Sequence, residues 1–129
     1  MSQIRTHEDI DHDLCGEPVS VDDREAVVAF DTSGKMAVDE HGLVHGGFIF
    51  GLADHAAMLA VNDPNVVLGS ANVQFSAPVT VGERVEATAR VVESDGKKRL
   101  LEVSARTGDT EVLSGTFTAF VLDQHVLES

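Results

Sequence analysis

Tryptophan and tyrosine are absent from this chain. Cysteine, proline and lysine are scarce: one Cys, three Pro and three Lys (Lys35, Lys97 and Lys98). Without Trp or Tyr, the usual platform on which single-stranded nucleic acid stacks is missing. The single cysteine, Cys15, excludes an internal disulfide framework. Basic residues number 9 against 22 acidic ones, a formal net charge of -13. A surface of that sign repels nucleic acid and anionic lipid, so neither nucleic acid nor a membrane is an expected partner. Long hydrophobic runs are also missing. The most apolar stretch, residues 48–61, is shorter than a membrane span and carries Asp54 and His55. Residues 1–8 lack the apolar core of a signal peptide, and a cytoplasmic location is expected.

What is present suffices for a globular fold. Hydrophobic residues make up 43% of the 129, ordinary for a folded domain and too many for disorder. A single domain over residues 1–129 is expected. One of this size buries roughly two-thirds of its unfolded surface and needs no disulfide or metal staple. Residues 1–16 are polar and acidic, with a short helix predicted over 4–14. Residues 19–30 favour a strand, and 31–44 a loop carrying Gly34 and Gly42. Residues 46–62 form the one convincing helix, rich in Ala, Leu and Met and stopped by Asp63-Pro64. Its apolar residues lie on nearly every face, which marks a helix buried on all sides.

Four segments of period 2 follow. Val67, Gly69, Ala71, Val73 and Phe75 alternate with Leu68, Ser70, Asn72 and Gln74. Val85, Ala87, Ala89 and Val91 alternate with Glu86, Thr88 and Arg90, and Leu101, Val103 and Ala105 with Glu102 and Ser104. Leu113, Gly115, Phe117, Ala119 and Val121 alternate with Ser114, Thr116, Thr118 and Phe120. Turn residues separate them: Pro78 and Gly82, Asp95-Gly96, and Gly108-Asp109. The expected class is α+β: one strand, one long central helix, then four antiparallel strands, joined as hairpins, curved around it. Small inward residues, among them Gly69, Ala71, Ala87, Ala89 and Ala105, leave room for the helix to lie close.

Two features of the helix invite chemistry. Asp54-His55 is its one adjacent ionisable pair. A buried carboxylate is costly unless hydrogen-bonded, and burial raises its pKa. Asp54 is therefore either a structural group bonded to nearby backbone or a reactive acid. His45-Gly46-Gly47 opens the helix. Glycines there let another group approach the backbone, and the first N–H groups of a helix are unpaired donors at the positive end of its dipole. They either receive the oxyanion of an attacked carbonyl or only turn a tight corner. Gly46 and Asp54 are eight residues apart, about 12 Å along a helix axis. One carbonyl cannot touch both in the same helix. If both act on one substrate, they come from different subunits, as in a two-fold dimer. A homodimer, associating further to a homotetramer, is expected.

The other polar candidates carry less. Of His41, His45, Asp54 and His55, the pair His41-x3-His45 lies in a loop and Asp54 is remote from it along the helix, and no cysteine pair supports zinc, so no metal is expected. His55 is expected to pack or hydrogen-bond beside the helix, and His7, His12 and His125 to be solvated. No G-x-S-x-G supports a serine hydrolase. Lys97-Lys98-Arg99, after the Asp95-Gly96 turn, is the one positive cluster in the sequence: a phosphate contact or a solvated hairpin end.

The stretch His45-Gly46-Gly47-Phe48-Ile49-Phe50-Gly51-Leu52-Ala53-Asp54 resembles the HGG-x(6)-D signature of hotdog-fold acyl-CoA thioesterases. The group it resembles is the phenylacetate-pathway (PaaI-type) group of the 4-hydroxybenzoyl-CoA thioesterase superfamily. The likeness continues through Phe75-Ser76-Ala77-Pro78, Val81-Gly82-Glu83 and Gly96-Lys97-Lys98-Arg99, and covers residues 19–122. Residues 47–56 and the hairpin after them are also similar to fluoroacetyl-CoA thioesterase. That enzyme pairs a helix Glu with a strand His; Asp54 and Phe75 stand at those positions here.

The resemblance implies a hotdog fold and hydrolysis of an acyl-CoA thioester to coenzyme A and a carboxylic acid, with no cofactor. By position it implies that Asp54 is the nucleophile or the general base that activates water. The Gly46 N–H would polarise the thioester carbonyl, and His45 would help hold the loop and the departing thiolate. Gly47, Asp39, Ser70, Lys97, Lys98 and Arg99 are the expected substrate contacts. Asp39 stands where many members carry Asn, and Leu68 where they often carry Ser or Thr. Ser70, taken to share the face of Leu68, is the substitute. These departures suit an alternative, a non-catalytic acyl-CoA-binding hotdog module. A hotdog dehydratase would need a catalytic His facing an acid across the dimer; His45 is the candidate, but its Gly-Gly context points to the thioesterases.

Overall fold

A computed structural model describes residues 1–128 of the chain. Helix α1 (His12–Cys15) leads into a hairpin of β1 (Glu17–Asp22) and β2 (Glu25–Asp31). A 3-10 turn (Gly34–Met36) precedes the long helix α2 (Gly46–Val61). Strands β3 (Val66–Phe75), β4 (Arg84–Asp95), β5 (Lys98–Thr107) and β6 (Thr110–Val121) follow. The six strands form one antiparallel sheet in the order β1-β2-β4-β5-β6-β3, with α2 packed on one face. This is the helix-in-sheet arrangement that the hotdog resemblance implies.

The alternation read from the sequence builds the floor under the helix. Val85, Ala87, Ala89 and Val91 of β4 and Leu101, Val103 and Ala105 of β5 are buried. Ala87 lies directly opposite Ala105, so two minimal side chains meet where α2 comes close. On the helix, Leu52, Ala53, Ala56, Ala57 and Leu59 are fully buried against this floor and its surroundings. Truncating Leu52 or Leu59 to Ala would cost roughly 2–5 kcal/mol in lost burial and cavity. Gly16 has φ +98, and a Cβ there would strike the Leu52 side chain and come within 2.7 Å of Val28 Cγ1. Glycine lets the chain pass between α1 and β1 at this point.

Three expectations need correction. Residues 19–30 are not one strand but fall in two, β1 and β2, paired through a turn in which Arg24 has φ 68. That turn carries no glycine, so its sequence signal is weak. The helix expected over 4–14 is only His12–Cys15, started by Asp11, whose carboxylate accepts from the N–H groups of Asp13 and Leu14. The third correction concerns β3, which forms no hairpin with β4. It pairs with β6 at the far edge, through a bulge between Leu68 and Ser70. Opposed residues share a face. Leu68, opposite Ala119, therefore points toward the core, and Ser70, opposite Thr118, points the other way. Val67 and Leu68 are both apolar, so alternation could not reveal the shift. Gly69 is needed at the bulge because a Cβ there would strike the Phe120 ring. Gly69 and Ala71 are exposed rather than packed beneath α2.

Candidate active site

The chain before α2 is pinned by two backbone bonds: Val44 N–H donates to the Val79 carbonyl (2.8 Å) and His45 N–H to the Met36 carbonyl (2.9 Å). His45, in extended conformation, is the N-cap. Its Nδ1 accepts the Gly47 N–H at 2.7 Å, doing what Ser, Asp or Asn usually does at this position. With Nδ1 accepting, the proton of a neutral ring sits on the exposed Nε2. Asp39 stabilises the loop ahead of the cap, its carboxylate accepting from the N–H groups of His41 (3.0 Å) and Leu43 (3.4 Å).

Gly47 N–H is thus used by the cap, whereas Gly46 N–H has no partner among the described residues. A Cβ on Gly46 would meet the Phe75 ring at 3.4 Å. The ring of Phe75, 54% exposed, closes over the helix start. Together with Val44, Ile49, Pro78 and Val112 it forms an apolar cleft of about 300 Å³ at the free N–H. In the sequence Phe75 was a member of a strand alternation and the position of a missing histidine; it is the wall of this cleft.

Further along α2 the two ionisable neighbours part. His55 is 2% exposed, and its Nδ1 lies 3.1 Å from the Cys15 carbonyl. The carbonyl can only accept, so Nδ1 carries the proton and donates. Burial pulls the imidazole below its usual pKa, with repulsion from His7 and His12 adding to the effect. The rings of His7 and His12 stack on it at 6.4 and 6.3 Å. His12 is exposed as expected, but His7 is half-buried, drawn in by this stack and by the Thr6 hydroxyl at 2.9 Å.

Asp54 sits on a different side. Gly47, Phe50, Gly51 and Asp54 follow the i, i+3, i+4, i+7 spacing of one helix face. All four are exposed or half-buried on a helix otherwise largely closed in. Phe50 stacks on Phe117 at 5.5 Å, and nothing lies within 4 Å of where a Gly51 Cβ would be. The Asp54 Oδ1 is buried and has no hydrogen-bond partner among the described residues. Burial pushes its carboxyl up to about 6 from 3.8. The Cys15 thiol is raised by burial, then by the charges of Asp11 and Asp54.

The structure does not bring every expected residue together. Gly46 and Asp54 lie on one continuous helix, still about 12 Å apart along its axis. Ser70 faces away from α2, so it does not stand in for the residue at Leu68. Lys97 Nζ binds Asp123 at 3.0 Å, Lys98 is exposed, and Arg99 folds back on the carbonyls of Gly96 (2.7 Å) and Lys98 (3.0 Å). The three do not form one patch. Among the described residues no group of three His, Cys, Asp or Glu is placed to hold a metal ion, and no helix is long and apolar enough to cross a membrane.

The family model described as thioesterase superfamily matches residues 41–114, from the loop before the cap to the middle of β6. The chain belongs to the thioesterase superfamily. Its fold is the hotdog fold of that superfamily. An uncharacterized protein of Pyrococcus horikoshii has the same structure with a TM-score of 0.96 and 48% identity, over 98% of this chain and 97% of that one. A variant of the phenylacetic acid degradation protein PaaI of Thermus thermophilus is 33% identical, with a TM-score of 0.78, over 84% of this chain and 95% of that one. A methylthioribose-1-phosphate isomerase of Aquifex aeolicus is 50% identical over 93% of this chain but only 26% of its own length. A transcription factor, FapR, of Thermoanaerobacter is 26% identical over 90% of this chain and 58% of its own length. This thioesterase-superfamily chain therefore spans about a quarter of one curated relative and just over half of the other.

Proposed function

We propose that this chain, acting as one domain over residues 1–129, hydrolyses acyl-coenzyme A thioesters at sites shared between two copies. The observation that carries the reading is Asp54: a half-buried carboxylate with one buried oxygen that has no partner among the described residues, on the one helix face left open. A carboxyl pushed up to about 6 is mostly ionised at neutral pH yet more basic than an ordinary aspartate. It takes a proton from water as the water oxygen attacks the thioester carbonyl, or attacks that carbon itself to give an anhydride that water then opens. The carbonyl oxygen becomes an oxyanion, the C–S bond breaks, and the thiolate leaves and takes up a proton. The free Gly46 N–H, at the positive end of α2 in an apolar cleft, suits the oxyanion. His45, exposed at the helix start, offers its Nε2–H to the departing sulfur.

The roughly 12 Å between Gly46 and Asp54 supports a division of these roles between two protomers. Two features support a two-fold dimer: the open face of α2, and β3, a ten-residue edge strand exposed over most of its length. Unpaired edges of that length invite pairing with another chain.

A second reading, acyl-CoA binding without turnover, draws support from the likeness to a transcription factor. A panel of short, long and aromatic acyl-CoAs, assayed for free thiol with the parent and with Asp54→Asn, separates the two. Hydrolysis by the parent and a loss of about 10²-fold or more in the variant is expected, the scale of a positioned base. A folded variant that turns over its best thioester at the parent rate would remove Asp54 from catalysis. A parent that binds acyl-CoA and releases no thiol would put the binding module first.

A further inference from the structure

Three of the six arginines, far apart in the chain, come to one place in the fold. Arg5 from the N-terminal arm, Arg24 from the β1–β2 turn and Arg99 from the β4–β5 hairpin line one hollow of about 480 Å³ beyond the C-terminal end of α2. The chain has 22 acidic residues, yet none of these guanidiniums is ion-paired among the described residues. The ion pairs engage Arg84, Arg90 and Lys97 instead.

The fold holds the backbone of Arg5 and the guanidiniums of Arg24 and Arg99. Asn62, the left-handed cap of α2, clamps the arm from both sides. Its Oδ1 accepts from Arg5 N–H (2.8 Å) and its Nδ2 donates to the Gln3 carbonyl (2.8 Å). Arg24 exchanges bonds with Val91: the Arg24 carbonyl accepts the Val91 N–H at 2.8 Å, and Nη2 donates to the Val91 carbonyl at 3.3 Å. Arg99 is fixed through Nη1 on two hairpin carbonyls. Each guanidinium has five N–H donors, so these bonds leave most of them unused. Asp22 and Asp23 also line the hollow, but neither comes within ion-pair distance of a guanidinium. The negative end of the α2 dipole opens nearby, worth about half a charge, which is too little to account for three arginines.

We propose that this hollow binds a phosphate-bearing small molecule through the guanidinium forks of Arg5, Arg24 and Arg99. Planar, forked donors recognise phosphate oxygens in pairs. On the thioesterase reading, the phosphates are those at the nucleotide end of coenzyme A. Asp54 lies seven residues before Val61, about 10 Å along the helix axis, a span that a pantetheine arm covers. A separate phosphorylated ligand is the other source of the same chemistry.

The full chain is titrated calorimetrically with coenzyme A, pantetheine, adenosine 3′,5′-bisphosphate and inorganic pyrophosphate. The same titrations are run on the triple variant Arg5→Gln, Arg24→Gln, Arg99→Gln. The variant is expected to lose affinity for coenzyme A and the bisphosphate by about tenfold or more, with pantetheine unaffected. The parent's affinity for both should fall as salt rises. Arginine-dependent binding of the bisphosphate or pyrophosphate, but not of coenzyme A, upholds the site and assigns it to a separate ligand. If no phosphorylated probe distinguishes the folded triple variant from the parent, the proposal is overturned and the arginines only tie hairpin carbonyls. Should the triple variant fail to fold, Arg5→Gln alone carries the test, because its guanidinium makes no hydrogen bond or ion pair among the described residues. Thiol release by parent and Asp54→Asn is read separately, so a failure of the hydrolase reading is not mistaken for a failure of this site.

Discussion

Asp54 and His55 are consecutive residues on one helix, but they face two different regions. His55 points into a closed region, where a backbone carbonyl accepts its N–H and two further imidazoles cover it. Asp54 points into an open stripe, where one of its oxygens is out of water and bonded to nothing. Burial is common to both; satisfaction is not. A buried polar group with its partners in place contributes to the fold, whereas one without them costs stability. The contrast separates a histidine satisfied within the fold from an aspartate oxygen that the described residues leave unsatisfied, which is what the proposed function draws on.

The largest effects should come from Asp54. Besides losing about 10²-fold in turnover, Asp54→Asn should make the protein more stable at pH 7, because a desolvated charge is removed. The gain is bounded by about 3 kcal/mol. Urea midpoints and initial rates measured on one preparation check both signs; a fall in stability would move Asp54 to the structural side of the comparison.

Next comes the stripe itself. Gly51→Leu adds a side chain where the single chain has open space, so each copy should still fold. A second copy packed there would be displaced, and association should weaken by tenfold or more, since overpacking an interface costs about 1–3 kcal/mol. Light scattering across a dilution series reads the change. An unaltered oligomer would show that the open face of α2 is not the interface.

His55→Leu should do the reverse of Asp54→Asn. It leaves the Cys15 carbonyl unpaired and should cost about 1–3 kcal/mol, with turnover per folded molecule within a few-fold of the parent. A hundredfold loss of turnover in folded protein would erase the distinction between the two neighbours.

Acidification gives the smallest and most graded test. The pKa of His55 is depressed in the fold, so its contribution to stability is complete above pH 6.5 and is lost as pH falls below that. Asp54 is raised, so its penalty is full above about pH 6 and lifts as pH falls toward 3.8. The stability advantage of Asp54→Asn should therefore be greatest near pH 7 and gone by about pH 4, followed by denaturant midpoints. The parent's turnover should fall as pH drops through about 6.

Much of this was legible in the residues. The bounds of α2 are within a residue of those predicted, because Pro64 and the glycines at its start punctuate the chain. The alternation of β4, β5 and β6 was readable because each turn carries a glycine. The β1–β2 turn was not, since Arg24 adopts a left-handed conformation usually left to glycine. The bulge at Gly69 hid between two apolar residues. As for the site, Asp54 stood out as the only acid on an apolar helix, and Gly46 as an unpaired donor. That His45 would occupy Gly47 N–H, that Phe75 would cover Gly46, and that Arg5, Arg24 and Arg99 would meet depend on chain crossings with no local signal.

The position of β3 also sets a timetable. β4, β5 and β6 pair with their immediate neighbours in sequence through two-residue turns. β3 precedes all three yet pairs with β6, the last strand to be synthesised. Pairings that close long loops form late, because the chain entropy is lost before the contacts form. A nascent chain still lacking β6 therefore displays α2 with Asp54 but has no place to dock β3. On the dimer reading, the β3 edge offered to a second copy is therefore completed last, after the face of α2 is in place.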